Sequence, residues 1–127
     1  MKLKNNFSVV ICTYNRPNKI KNCLKNILEN SLIPKKIIIV DQNQDKKTEN
    51  ISKLILKKYK FKKFKLIKNL KNIGLTKSKN LSLKFVMTKY VFFIDDDIIL
   101  KNNFFKNIIK VISNKKAHGV CGVLTNY

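Results

Sequence analysis

Two spacings of apolar residues alternate along this chain. Phe7 to Cys12 (FSVVIC) is a short, nearly continuous apolar run rich in β-branched residues, the pattern of a strand buried on both faces. Pro17 suits a first helical turn, and Ile20, Cys23, Leu24, Ile27 and Leu28 follow at helical spacing, which predicts a helix closed before Pro34. Lys36 to Asp41 (KIIIVD) predicts a second buried strand. Ile51, Leu54, Ile55 and Tyr59 line a second helix, and Phe64 to Asn69 form a third strand. Beyond Gly74, the stretch from Leu75 to Thr88 sets Leu75, Ser78, Ser82, Phe85 and Val86 on one side, as a third helix packed closely on a sheet would. Tyr90 to Ile94 predicts a fourth strand, Phe105, Ile108, Ile109 and Ile112 a fourth helix, and Gly119 to Leu124 (GVCGVL) a fifth strand.

Strict alternation of buried strands with amphipathic helices requires right-handed crossovers and a mostly parallel sheet covered on both faces. The expected class is therefore α/β, doubly wound and Rossmann-like. At 127 residues there is room for one domain, and neither a repeat nor a linker interrupts it. In such sheets ligands bind outside the carboxyl ends of the strands, where strand order reverses. Polar residues at strand ends therefore carry the functional information.

Charge changes this picture less than its size suggests. The formal net charge is +21, from 28 Lys and Arg residues against seven Asp and Glu. All but Arg16 of the basic residues are lysines, spread over the exposed positions. A nucleic-acid reader usually relies on arginine for bidentate contacts, so no specific nucleic acid is expected. The lysines read as a solvated surface, with contact to an anionic membrane face only as a side effect. Cys12, Cys23 and Cys121 are odd in number and lack zinc-site spacing. The first apolar run is too short for a signal peptide, and none approaches the ~20 residues of a membrane span. A cytoplasmic location is the expectation, peripheral at most to the inner membrane face.

Against that background one stretch stands out. Asp95, Asp96 and Asp97 follow the fourth strand directly, in a chain with seven acidic residues in all. Strand one runs into Thr13, Tyr14, Asn15 and Arg16, and strand two ends in Asp41, Gln42 and Asn43. With no glycine-rich phosphate cradle in the sequence, a phosphorylated ligand needs another source of positive charge. Mg²⁺ supplies it by binding one or two carboxylates and completing its shell with water and phosphates. In an extended chain Asp95 and Asp97 point one way and Asp96 the other, so Asp-x-Asp can clamp a metal. Two plainer readings compete: the triplet, or Asn102, could cap the fourth helix, and Asp41 could be a turn residue. His118 has no partner at metal spacing and reads as a loop residue.

In order and separation, VVICTYNRP, IIIVDQN, NIGLTKSKN and FFIDDDI resemble the nucleotide-binding half of family 2 glycosyltransferases with the GT-A fold, from Phe7 onward. The resemblance implies a nucleotide-diphosphate-sugar donor, often uridine-based. It places Thr13, Tyr14, Asn15 and Arg16 around the base and gives Asp41 a hydrogen bond from the uracil ring. Asn72, Gly74 and Lys79 fall at an Asn-x-Gly element and a basic element near the base. Asp95 and Asp96 would meet the ribose or donor sugar. Asp97, with Asp95, would ligate Mg²⁺ or Mn²⁺ bridging the diphosphate. It further implies inversion at the anomeric carbon, with a carbohydrate or lipid-linked acceptor, as in polysaccharide biosynthesis.

Three departures qualify the implied roles. Gln42 and Asn43 follow Asp41 where the family commonly continues Asp-Gly-Ser, and Lys79 stands where arginine is usual. The sequence also stops at Tyr127, just past the expected fifth strand. No residue here is assigned as the general base, an acidic group that the resemblance places beyond Tyr127, in the acceptor half. Residues 1–127 are thus expected to be a donor half alone, binding donor weakly, oligomerising or aggregating, and not turning over. Two other classes compete: a non-catalytic nucleotide-binding module, and a basic nucleic-acid-binding protein whose affinity would fall steeply with salt. A phosphoacceptor receiver domain would need its acidic pair after strand one, where Cys12, Thr13 and Tyr14 stand.

Overall fold

The structure is a computed structural model that describes residues 5–114, 117–123 and 125. Eight elements alternate: β1 (Phe7–Thr13), α1 (Pro17–Leu28), β2 (Lys36–Asp41), α2 (Lys47–Lys58), β3 (Phe64–Lys68), α3 (Leu75–Leu83), β4 (Tyr90–Phe93) and α4 (Phe104–Asn114). The four strands form one parallel sheet in the order β3-β2-β1-β4. Chain order reverses between β1 and β4, because the sheet grows one way through β2 and β3 and then returns past β1.

The strands' pleat sorts their side chains onto two faces. Phe7, Val9, Ile11, Ile37 and Ile39 pack against Ile20, Leu24 and Ile27 of α1, Ile55 and Leu56 of α2, and Phe105 and Ile109 of α4. Burying each such side chain contributes about 1.5–3 kcal/mol, so this face holds the fold together. The rings of Phe7, Phe92 and Phe105 meet at centroid distances of 5.0 to 5.4 Å and tie β4 and α4 to β1. On the other face Ser8, Val10, Ile38 and Val40 are buried. There α3 lies on β1 and β2, presenting the buried Ser78 and Ser82, whose small side chains let the helix come close.

Several boundaries differ from the sequence expectation. Residues 119–123, expected as a fifth strand, lie outside any strand, while Leu124 and the terminal Tyr127 fall outside the described residues. Glycines at 119 and 122 have no side chain to pack, which weakens a strand however apolar its neighbours are. The third helix ends at Leu83, five residues short of Thr88. Lys36 Nζ donates to the Phe85 carbonyl at 2.8 Å, and Thr88 shares a 2.8 Å hydroxyl contact with Ser8, so the chain straightens there to enter β4. Leu75 is exposed rather than turned to the sheet. Leu54 is likewise 65% exposed, because the buried stripe of α2 runs through Thr48, Ser52, Ile55 and Leu56, about 100° per residue away from it.

The segment after β4 is pinned to α1 by side-chain amides. Asn26 receives the Leu100 N–H at 2.6 Å and donates to the Leu100 carbonyl at 3.0 Å. One turn later, Asn30 donates to the Lys101 carbonyl at 2.9 Å. The Cys23 thiol points at the Asp95 carbonyl, 3.7 Å away. These hooks satisfy backbone groups that no helix or ladder reaches, and they fix the loop that carries the three aspartates.

Candidate functional site

A cleft of about 410 Å³ opens at the carboxyl ends of β1 and β4, the place where strand order reverses. Cys12, Thr13, Tyr14 and Arg16 line it from the end of β1, Gln42 from β2, Asn72, Gly74 and Leu75 from the start of α3, and Asp95, Asp96 and Asp97 from the end of β4. The expectation that strand four lies beside strand one is met: Val9 pairs with Phe92 and Val10 with Phe93. Its size is in the range of small-molecule sites, about 300–1,000 Å³.

The aspartates divide their work. Asp96 is buried and accepts from the Thr13 hydroxyl at 2.7 Å and from Arg16 Nη1 at 3.2 Å. Asp95 and Asp97 are exposed. Asp97 accepts from the same Arg16 nitrogen at 3.3 Å, while the Asp95 carboxylate has no hydrogen-bond or ion-pair partner among the described residues. The triplet does not cap a helix, since α4 begins only at Phe104. Helix α1 starts beside it: Pro17 opens the first turn, and the Arg16 carbonyl accepts from Lys19 and Ile20. Arg16 thus serves the helix with its backbone and the aspartates with its side chain.

The β1–α1 turn depends on Asn15, which has φ of 56°, a left-handed conformation that asparagine tolerates better than most residues. Its N–H donates to Asn43 Oδ1 at 2.6 Å, so it braces the turn and does not line the cleft. Gly74, at φ of 83°, opens α3 after an Asx turn in which Asn72 Oδ1 accepts its N–H at 3.0 Å. Gln42 accepts the Ile73 N–H at 2.9 Å and locks this loop to β2, which leaves its amide nitrogen as a donor at the cleft wall.

Asp41 and Lys79 sit apart from the lining. Asp41 is fully buried, accepting the Asn43 N–H at 3.0 Å and the Lys68 ammonium at 3.1 Å. Lys79 lies on α3 with its ammonium 5.4 Å from the Phe93 ring centroid. The general base expected beyond Tyr127 falls outside the described residues, as Tyr127 itself does. Sequence reasoning passed over Cys12, Lys68 and the two amide hooks Asn26 and Asn30. The hooks had a legible signal, since they stand one turn apart at the border of the α1 apolar stripe.

The donor set suits a hard divalent cation bound jointly with its ligand. Among the described residues no three His, Cys, Asp or Glu side chains could cage a metal by themselves. The cleft offers two exposed carboxylates, Asp95 and Asp97, which is the protein share expected where phosphates and water complete a Mg²⁺ or Mn²⁺ shell.

Burial raises the Cys12 thiol to about 11, with Lys79 lowering it and Asp95 and Asp96 raising it further, and raises Cys23 to about 12. A thiol ionises only as pH approaches its pKa, so on the order of one Cys12 in a thousand is thiolate at pH 8. Iodoacetamide at pH 8 should therefore modify the exposed Cys121 first, and peptide mass spectrometry would show Cys12 lagging. Equal rates at the two sites would show that Cys12 is not shielded at the cleft wall.

Solved structures similar to this chain include glycosyltransferases. The mannosyltransferase PcManGT from Pyrobaculum calidifontis, in complex with GDP-Man and Mn²⁺, is 19% identical and superposes with a TM-score of 0.79 over 87% of this chain and 33% of that one. TarS 1–349 of S. aureus in complex with UDP-GlcNAc is 26% identical, with a TM-score of 0.70 over 87% of this chain and 32% of that one. The chain thus spans about a third of the length of these structures. No curated protein sequence matches it. The model of glycosyl transferase family 2 matches residues 8–127, and with the parallel GT-A-like sheet and its strand-end cleft this places the chain in that family.

Proposed function

We propose that residues 1–127 form the donor half of an inverting glycosyltransferase and bind a nucleotide-diphosphate sugar, with UDP as the nucleotide, together with Mg²⁺ or Mn²⁺. The observation that carries the reading is the meeting of the β1 end, Thr13 to Arg16, with the exposed Asp95 and Asp97 in one cleft at the switch point. A TarS structure, 26% identical, was determined with UDP-GlcNAc, which supports a uridine nucleotide.

In this reading Tyr14, half exposed at the rim, offers its ring to the base. Gln42 and Asn72 supply amide contacts, and Asp41 acts from behind Gln42. The sequence resemblance gives Asp41 a base contact, but its burial and two partners suit it to holding Asn43 in place. Asp95 and Asp97 hold the cation, which when bound stabilises the charge that develops on the departing diphosphate. Asp96 orients Thr13 and Arg16 without facing solvent. The acceptor half and the general base that deprotonates the attacking hydroxyl are assigned outside these residues.

Calorimetric titration of UDP, and of GDP in parallel, with and without Mn²⁺ tests the reading. The expected result is UDP binding that requires Mn²⁺ and weakens about tenfold or more in Asp97→Asn. UDP heats indifferent to both Mn²⁺ and the substitution would sink it. Tighter binding of GDP would reassign the base.

A further inference from the structure

Arg16 occupies a contradictory place. It is the only arginine of the chain, and one of its nitrogens lies 3.2 Å from Asp96 and 3.3 Å from Asp97. Asp97 is also one of the two exposed carboxylates suited to a divalent cation. A guanidinium and a divalent cation on one carboxylate repel each other. With its contacts to Asp96 and Asp97, Arg16 therefore supplies positive charge of the kind that three adjacent aspartates demand.

Its two contacts differ in kind. Asp96 is buried, and both its oxygens are engaged, one by Thr13 and one by Arg16. Asp97 is 48% exposed, and the Arg16 side chain is 55% exposed. Exposed ion pairs contribute little and exchange readily, so the Arg16–Asp97 contact is the one that gives way. A diphosphate entering the cleft offers the planar guanidinium a doubly charged partner whose paired oxygens match its fork better than a shared carboxylate oxygen.

We infer that Arg16 is an exchangeable internal cation: it holds Asp97 while the cleft is empty, passes to the diphosphate when donor binds, and so makes divalent-cation binding depend on the nucleotide. The inference rests on the donor-site reading above and adds to it a positioning residue and a binding order. Cation and nucleotide each strengthen the other's binding by the same factor, and Arg16 is the source of part of that factor. Its backbone role at the start of α1 does not require the guanidinium.

The test uses the full chain. Mn²⁺ binding is followed by electron paramagnetic resonance, with and without UDP, in wild type, R16Q, R16K and D97N. Wild type should bind Mn²⁺ alone weakly and about tenfold more tightly with UDP, within the usual range of coupled sites. R16Q should bind Mn²⁺ alone roughly fivefold more tightly than wild type and respond to UDP by less than about threefold, whereas R16K, keeping the charge, stays within about twofold of wild type. R16Q no tighter than wild type, or R16K as tight as R16Q, overturns the inference.

Because the chain has one arginine, its side-chain Nε–H gives one resonance, and wild type can be read without substitution. Mg²⁺ with UDP should shift that resonance, while Mg²⁺ alone should not; an unmoved resonance at saturation overturns the inference. D97N that binds Mn²⁺ and UDP like wild type removes the donor-site reading as well. Loss in D97N with an unaltered R16Q removes only the role given to Arg16.

Discussion

Replacing Asp41 by alanine is expected to lower the unfolding free energy by about 3 kcal/mol, the lower end for breaking a buried ion pair by deleting one partner. The carboxylate is fully buried at the end of β2 and serves two groups, the Asn43 N–H and the Lys68 ammonium. Lys68 is 22% exposed and keeps its contact to the Asp45 carbonyl, so part of its charge remains solvated and the loss stays at that lower end. Asp41→Asn should cost less, since its amide oxygen can still accept from Asn43. Urea unfolding of the two variants measures both. If Asp41→Ala unfolds at the wild-type midpoint, the buried pair contributes nothing. UDP titration then separates two roles: a scaffold carboxylate weakens binding in proportion to lost stability, whereas a base contact weakens it in the fully folded Asp41→Asn protein.

The second large effect belongs to Asn26. Asn26→Ala removes both hydrogen bonds to the Leu100 backbone, and the Leu100 side chain is 7% exposed. Each partly buried backbone group left without a partner costs about 1 kcal/mol at the low end, so about 2 kcal/mol in total is expected from urea melts. Asn26→Asp retains the acceptor for the Leu100 N–H and should recover part of it. Since this clamp fixes the segment that begins at Asp95, metal-dependent UDP binding should weaken in Asn26→Ala although residue 26 does not line the cleft. Wild-type affinity in a variant that has lost the stability would show that the aspartates hold their places unaided.

What could be read without the structure was local. Phe7 to Cys12 and Ile37 to Val40 are apolar at every position but Ser8, and only strands covered on both sides tolerate that. The α1 stripe Ile20, Cys23, Leu24, Ile27 is buried as its spacing requires. The same reading failed at Gly119 to Val123, where glycines outweigh the apolar run, and at Leu54, where one residue's rotation around the helix decides exposure.

At the cleft, the chain order of polar residues at strand ends was enough to single out Thr13, Arg16 and the aspartate triplet, all of which line it. The sequence separated Asp95 and Asp97 from Asp96 by assuming an extended backbone. Asp96 is indeed buried between two exposed neighbours, but it lies in a turn that the Ile98 N–H closes on the Asp95 carbonyl at 3.4 Å, beyond the end of β4. Tertiary structure decided the rest. It set β4 beside β1, joined Asp96 to Thr13 across 83 positions of sequence, gave Arg16 to two aspartates, and withdrew Asp41 from the cleft to Lys68. Spacing along the chain specifies which way a side chain points from its own strand or helix. Partners are chosen by how strands order and helices pack, which are properties of the whole sheet and invisible in any one segment.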